Sequence, residues 1–233
     1  MELIESGTLY LVSTPIGNLA DITYRAVHIL SSVDIIAAED TRVTSVLLRH
    51  YDIKKKAVAY HSYNQRQQTE RLIQLLKEDK SIALVSDAGT PGISDPAYAL
   101  VRGAISNNIR IVPIPGASAL LPALIVSGLT CNSFVFEGFL PLKKGRKKKI
   151  ELLAKETRTI ILYESPHRIL RTVKEIHASW GERQCVMGRE ITKKFEEFFR
   201  GSFADLINRL EDKKAKGEIV LVIDGSNANA GKL

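Results

Sequence analysis

The sequence has few cysteines and no long apolar stretch. Cys131 and Cys185 are far apart, and neither has a partner cysteine or histidine at the spacing of a metal site. Neither a zinc site nor a disulfide framework is therefore indicated, and free thiols favour a reducing, cytoplasmic location. The longest apolar stretch, residues 119–126, is too short to span a membrane, and the acidic start of the chain argues against a signal peptide. We expect no metal and no membrane segment.

Common nucleotide-binding and hydrolase motifs are also missing. No G-x-G-x-x-G occurs, which argues against a Rossmann dinucleotide site. Gly225 and Gly231 have one residue too many between them for a P-loop, and Lys232 is followed by Leu233. Ser165 does not lie in a G-x-S-x-G elbow. These absences argue against kinases, other P-loop enzymes and α/β-hydrolases.

Positive charge, in contrast, is in surplus. The 233 residues include 33 Lys and Arg against 26 Asp and Glu, a net charge of +7 that favours an anionic partner. Part of the surplus is local, since six of the seven residues 143–149 are basic. A phosphate backbone would suit these cations, and a solvated helix start is the structural alternative. The candidate RNA contacts are Lys143, Lys144, Arg146, Lys147, Lys148 and Lys149.

Short apolar segments alternate with helical patterns along the chain, which predicts α/β architecture with mostly parallel or mixed sheets. The first half predicts strands at 8–13, 34–38, 82–86 and 110–114, and helices at 23–30, 42–50, 65–77 and 96–105. The second half predicts strands at 134–137, 159–163, 185–189, 195–199 and 218–223, and helices at 146–154, 166–178 and 203–213. We place the division near Gly116, giving two α/β domains, residues 1–116 and 117–233.

The most informative segment is the polar loop SDAGTPGISDP, residues 86–96, between a buried strand and a helix. Its glycines permit positive φ, its prolines fix φ, and its short polar side chains can bind a ligand or cap a helix. An ordinary turn has a similar composition, so the loop alone does not settle its role. However, similar loops lie at 13–19, 39–42, 61–65 and 115–119. In a parallel sheet all five would meet at one edge and build a single cleft.

At these loops the sequence resembles the tetrapyrrole methylase superfamily over residues 7–224. The superfamily motifs are VSTPIGNL, SDAGTPGISDP and PGASAL. Within the superfamily it resembles the ribosomal RNA small-subunit methyltransferase I family, through AAEDTR, HSYNQ, FEGFLP with the basic segment, YESPHR and GREITKKFEE. The joint match is specific, although each fragment alone is weak.

The resemblance implies two α/β domains with S-adenosylmethionine bound in the cleft between them, a homodimer, and no metal. It implies methyl transfer to the ribose 2′-hydroxyl of a cytidine in small-subunit (16S) rRNA, either free or in the assembled subunit. The implied cofactor residues are Pro15, Asp87, Gly89, Gly92, Ile93, Ser94, Ser118 and Ala119. Many members continue beyond the position of Asp224 with a small helical segment that this sequence lacks. We expect either a weaker hold on RNA or a shortened chain.

Methyl transfer to a hydroxyl needs alignment, and a proton acceptor or nearby cations assist it. The candidate acceptors are Glu39, Asp40, His61, Glu164 and Glu190. The candidate cations are Arg42, Arg168, Arg189 and Lys193. Structural alternatives are helix capping by Glu164 and His167 and an ion pair between Glu190 and Lys193. Phe195, Phe198 and Phe199 are interpreted as strand packing.

Two other functions stay open on the sequence alone. One is methylation of a tetrapyrrole or a protein side chain, against which the RNA-type motifs argue. The other is a non-catalytic RNA-binding factor in ribosome assembly.

Overall fold

The computed structural model describes residues 4–226, and its contacts divide the chain into two compact units between Ser118 and Ala119. The sequence-based domain boundary lies just before this division. No helix among the described residues is both long and apolar enough to cross a bilayer.

The first unit is an all-parallel sheet with helices on both faces. Its strands are β1 (Thr8–Val12), β2 (Ile35–Ala38), β3 (Ala57–Ala59), β4 (Ile82–Val85) and β5 (Arg110–Ile114). Its helices are α1 (Tyr24–Ser32), α2 (Thr41–His50), α3 (Gln65–Lys77) and α4 (Tyr98–Ser106). The strand order is β3-β2-β4-β1-β5, and every neighbouring pair is parallel. The predicted parallel sheet is confirmed, so the five loops that follow the strands lie at one edge.

Strand residues alternate between the two faces of this sheet, as a two-residue period requires. Tyr10 and Val12 pack in one core cluster with α1 and α2. Leu9, one position from Tyr10, packs in a second cluster with α3 and α4. Helices α1 and α2 therefore cover one face, and α3 and α4 cover the other.

The second unit is a mixed sheet of order β6-β7-β10-β8-β9. Its strands are β6 (Phe134–Phe139), β7 (Thr159–Glu164), β8 (Gln184–Arg189), β9 (Glu197–Ser202) and β10 (Ile219–Ile223). Its helices are α5 (Leu120–Ile125), α6 (Arg146–Leu153), α7 (Ile169–Trp180) and α8 (Phe203–Asp212). Among the residues of this unit that the structure describes, only β6 and β7 pair in parallel, and the other neighbouring strands are antiparallel. Helices α6, α7 and α8 bury their apolar side chains in one cluster on this sheet.

The strand β9 begins later than predicted. Residues 190–196 form a turn in which Glu190 (φ 51°) and Thr192 (φ 70°) adopt left-handed backbone conformations. Phe195 falls in this turn and is 64% exposed, so its interpretation as strand packing is wrong. The ammonium group of Lys194 lies 5.6 Å from the centre of its ring instead.

Candidate functional site

Backbone hydrogen bonds join the loops after β1 and β4. Thr14 and Gly89 exchange both backbone hydrogen bonds, at 2.9 and 3.0 Å, as an isolated antiparallel bridge. Gly89 has φ +82°, and an added Cβ would lie 3.3 Å from Cγ2 of Ile16, so glycine fits this close approach. The two loops act as one structure.

Hydroxyl groups extend this connection to the segment after β5. Oγ1 of Thr90 donates to the carbonyl of Ala117 at 3.2 Å. Because that uses its single hydrogen, Ser13 donates to Thr90 in their 3.0 Å contact. The buried Oγ1 of Thr14 donates to the carbonyl of Ser86 at 3.2 Å. Sequence reasoning missed these three hydroxyl residues. The signal for Ser13 and Thr14 was their position directly after β1, and the signal for Thr90 was its place in the loop 86–96.

The tip of the loop 86–96 is held by Asp95. Its carboxylate accepts hydrogen bonds from the backbone N–H of Gly92 at 2.8 Å and of Ala97 at 2.9 Å. The tip between them is exposed, and Ser94 has a left-handed backbone (φ 68°). Asp95 therefore presents Gly92, Ile93 and Ser94 to solvent in a fixed conformation.

Asp87 connects the loop 86–96 to the loop after β2. Its Oδ1 accepts a hydrogen bond from the backbone N–H of Asp40 at 2.8 Å. Asp40 in turn caps α2 by accepting from the N–H of Arg42, whose guanidinium contacts the same carboxylate at 2.6 Å. Hydrogen bonds from Arg42 hold the pKa of Asp40 at about 2. Asp40 is therefore a poor proton acceptor at neutral pH.

Glu39 has the opposite electrostatic environment. It is half-buried, and burial followed by the nearby charge of Asp87 raises its pKa above the ordinary value. Among the acidic candidates of the first unit, Glu39 is the better proton acceptor.

The loop after β3 is joined to the same edge. Asn64 accepts from the N–H of His61 at 2.9 Å and donates to the carbonyl of Ala59 at 3.0 Å. Gln65 donates from Nε2 to the carbonyl of Pro96 at 2.6 Å. The buried Nδ1 of His61 has no hydrogen-bond partner among the described residues.

In the second unit, Glu164 is buried, and both of its oxygens have partners. Oε1 accepts from the N–H of Ser165 at 2.7 Å and pairs with Arg168 at 2.5 Å. Oε2 accepts from the hydroxyl of Thr172 at 2.6 Å. These contacts connect the end of β7 to α7, and groups of the same unit occupy both oxygens of Glu164.

Arg146 was expected to contact RNA, and its position in the structure does not fit that role. Its side chain is only 7% exposed, and its Nε contacts Glu175 at 2.7 Å. Its Nη2 donates to Thr172 at 2.7 Å, and its Nη1 donates to the carbonyl of Pro141 at 3.2 Å. Arg146 is therefore an internal group, because burial removes its charge from the surface.

The remaining basic residues of this segment differ in how available they are. Lys149 pairs with Glu137 at 2.5 Å. The other four, Lys143, Lys144, Lys147 and Lys148, are exposed. Lys143 and Lys147 also border a groove of about 670 Å³ between α6 and α7. The basic segment includes the predicted helix start, and it presents four lysines to solvent.

The last three candidates form surface ion pairs. Arg189 contacts Glu197 at 2.9 Å. Lys193 lies between Glu190 and Glu218, at 3.0 and 2.9 Å. Glu190 also accepts the N–H of Glu218, which lowers its pKa. The geometry is that of the structural ion pair weighed for Glu190 and Lys193. Within residues 4–226, no cluster of three or more side chains is arranged to hold a metal ion.

Comparison with known proteins adds family information to this geometry. The family model described as tetrapyrrole (corrin/porphyrin) methylases matches residues 8–207. A protein of Synechocystis named ribosomal RNA small subunit methyltransferase I is 50% identical over 222 residues, covering 94% of this chain and 80% of that protein. A protein of Haemophilus influenzae with the same name is 50% identical over 224 residues, covering 94% and 79%.

Solved structures share the fold at low sequence identity. A diphthine synthase aligns with a TM-score of 0.73 at 14% identity, covering 93% of this chain and 90% of that one. A cobalt precorrin-4 methyltransferase aligns with a TM-score of 0.70 at 16% identity, covering 96% and 98%.

Proposed function

The chain belongs to the tetrapyrrole methylase family, among proteins named ribosomal RNA small subunit methyltransferase I, and we propose that it methylates the ribose 2′-hydroxyl of a cytidine in small-subunit rRNA. It is an S-adenosylmethionine-dependent rRNA methyltransferase. We propose the cytidine as the target nucleotide, the 2′-oxygen as the methyl acceptor, and a role for each of the residues at the site.

The observation that carries the proposal is the edge of the first sheet, where five loops follow parallel strands and hydrogen bonds join them. Ligands of open α/β sheets bind at such edges. We assign S-adenosylmethionine to the exposed tip of the loop 86–96 and to its neighbours. The proposed cofactor residues are Pro15, Asp87, Gly89, Gly92, Ile93, Ser94, Ser118 and Ala119.

The residues at this edge suit such a cofactor. An added Cβ on Gly92 would meet no atom within 4 Å, so the backbone is open to a ligand there. Glu39, Asp40 and Asp87 form an acidic cluster, which complements the positive sulfonium and ammonium groups of S-adenosylmethionine.

When bound, S-adenosylmethionine supplies an electrophilic methyl group, and the chain must align the ribose hydroxyl with it and accept the hydroxyl proton. Glu39 is the proposed acceptor because its pKa is raised, whereas Asp40 is held ionised by Arg42. Arg42, whose side chain is 89% exposed, is the proposed cation that positions the RNA near this edge. His61, with its unpartnered Nδ1, is the second candidate acceptor.

We further propose that Lys143, Lys144, Lys147 and Lys148 bind rRNA phosphates, because they are the exposed cations of the basic segment. The expected homodimer and cytoplasmic location remain predictions, and light scattering of the purified chain tests the dimer.

Transfer of tritiated methyl from labelled S-adenosylmethionine to small-subunit rRNA tests the proposal. We expect incorporation at one cytidine, with the adjoining phosphodiester bond made resistant to alkali because its 2′-oxygen is blocked. Parallel reactions with deproteinised RNA and with isolated small subunits identify the substrate form. Label on a base or on protein would contradict ribose methylation, and bound RNA without label would favour the non-catalytic alternative.

A further inference from the structure

The loop after β3 presents an aromatic ring that packing does not explain. Tyr63 is 100% exposed, although it lies at the loop edge of the first sheet beside the proposed cofactor loop. Contact between an aromatic ring and water is unfavourable, and a ring that stays fully exposed contributes nothing to the stability of the fold. Within the motif HSYNQ, His61 is the second candidate acceptor, but Tyr63 has no role in the proposed cofactor site.

The segment around Tyr63 is nevertheless well fixed. The side chain of Asn64 bonds the backbone of His61 and of Ala59, and Gln65 bonds the carbonyl of Pro96. The ring of His61 meets that of Tyr63 edge to face, with centroids 6.1 Å apart. An exposed ring on a fixed backbone loses little conformational entropy when a partner stacks on it.

A second exposed tyrosine lies at the other end of the bond between Gln65 and Pro96. Tyr98 is 67% exposed and begins α4, two positions after Pro96, as Tyr63 lies two positions before Gln65. The guanidinium of Arg102 lies 5.9 Å from the ring centre of Tyr98 and donates to its hydroxyl at 3.2 Å. Aromatic rings and guanidinium planes are the surfaces on which proteins stack unpaired RNA bases.

We propose that Tyr63, assisted by Tyr98, is a stacking subsite for an unpaired nucleobase of the substrate RNA. This inference rests on the proposed function and adds a means by which the RNA is positioned. Stacking on one side of the sheet edge holds a nucleotide beside the loop 86–96, while the exposed lysines of the second unit bind phosphates. Tyr63 is a positioning residue, since it takes no part in the transfer itself.

The test compares the full-length chain with Tyr63→Ala, Tyr63→Phe and Tyr98→Ala. The probe is a single-stranded oligoribonucleotide carrying 2-aminopurine, whose fluorescence falls when the base stacks. Tyr24→Ala is the matched control, because Tyr24 is 98% exposed but begins α1 on the opposite face of the sheet.

We expect Tyr63→Ala to weaken binding of the probe by about tenfold and to abolish most of the quenching. The KM for rRNA should rise similarly, with kcat and the S-adenosylmethionine affinity unchanged. Tyr63→Phe should retain binding because it retains the ring, Tyr98→Ala should lose less than Tyr63→Ala, and Tyr24→Ala should match the wild type.

Unchanged binding and quenching in Tyr63→Ala would overturn the inference, as would equal losses in Tyr63→Phe and Tyr63→Ala. A change in the mass of Tyr63→Ala by light scattering would also overturn it, because Tyr63 would then belong to an interface between copies. If the wild type methylates rRNA while Tyr63→Ala is unaffected, only the stacking subsite fails. If the wild type transfers no methyl group to rRNA, the proposed function itself fails.

Discussion

The two units use their charged side chains in different ways. In the first, Glu39, Asp40 and Asp87 lie at the loop edge of a parallel sheet, and Asp87 bonds a neighbouring loop. In the second, Glu164 and Arg146 are buried in a network of complementary partners. The same residue types therefore serve as candidate site groups in one unit and as structural connections in the other.

Topology accounts for much of this difference. Five parallel strands end at one edge, so their polar loops meet there. The mixed sheet of the second unit sends strand ends to both edges, and its charged residues pair within the unit, whether close along the chain, as Glu164 and Arg168 are, or distant, as Arg146 and Glu175 are. Proximity to a strand end is therefore informative only when neighbouring strands end at the same edge.

Among the variants that test this difference between the two units, we expect the largest effect, on the stability of the fold, from Glu164→Ala. It removes the shared partner of Arg168 and Thr172 in a buried site, so we expect a loss of about 3 to 5 kcal/mol in the free energy of unfolding, measured by urea denaturation. Glu151→Ala is the control, since Glu151 and Lys147 are exposed and 3.9 Å apart. Wild-type stability with lost methyl transfer would place Glu164 in catalysis and break the comparison.

Asp87→Ala should give the next largest effect, but on ligand binding. We expect calorimetry to detect no binding of S-adenosylmethionine, because the variant loses a carboxylate and the acceptor for the N–H of Asp40. Asp87→Asn keeps that acceptor and separates the two contributions. Asp212→Ala, at an exposed aspartate of α8, controls for loss of charge. Wild-type affinity in Asp87→Ala would remove Asp87 from the site.

Changing the four exposed lysines 143, 144, 147 and 148 to glutamine should weaken RNA binding and reduce its salt dependence. Each lost phosphate contact to a single strand lowers the slope of log K against log salt by about 0.7, so four lower it by about 3. The melting temperature and the S-adenosylmethionine affinity should not change. Lys54, Lys56, Lys77 and Lys214 form a control set of exposed lysines elsewhere. Equal losses in both sets would indicate only general charge attraction.

The smallest expected effect concerns Glu39 and pH. Because its folded pKa is raised, Glu39 binds its proton more tightly in the folded state, and stability falls as pH rises through the folded pKa. Glu39→Gln removes this cost, so we expect the variant to unfold at a slightly higher temperature than the wild type at pH 7. This advantage in stability should disappear below the ordinary pKa of glutamate. Methyl transfer by Glu39→Gln should be slower than that of the wild type, because the proposed proton acceptor is lost. An equal advantage at all pH values would contradict an ionised Glu39.

The sequence predicted the elements well because their apolar patterns are strong. The helix Gln65–Lys77 and the strand Arg110–Ile114 have the predicted bounds, and β9 does not. The wrong start predicted for β9 has a local cause. The left-handed residues Glu190 and Thr192 form a turn before the strand, whereas the nearby phenylalanines suggested that the strand had already begun. Backbone conformations of this kind leave little trace in hydrophobic patterning.

The candidate site was predictable in part, for a similar reason. Loops could be placed at one edge from strand order along the chain, and the resemblance selected residues within them. Burial of individual charges could not be predicted, so Arg146 was grouped with the lysines beside it. Hydroxyl bonds between loops, such as that of Thr90 to Ala117, also need three-dimensional distances.

The buried Arg146 has a consequence for how the neighbouring lysines work. Its guanidinium fastens the start of α6 to Pro141, Thr172 and Glu175, so Lys147 and Lys148 project from an immobilised support. Binding of a polyanion to these lysines therefore costs less conformational entropy than binding to a flexible basic tail would. The buried arginine thus makes the exposed lysines more effective. Substitution of any one lysine should destabilise the fold far less than substitution of Arg146.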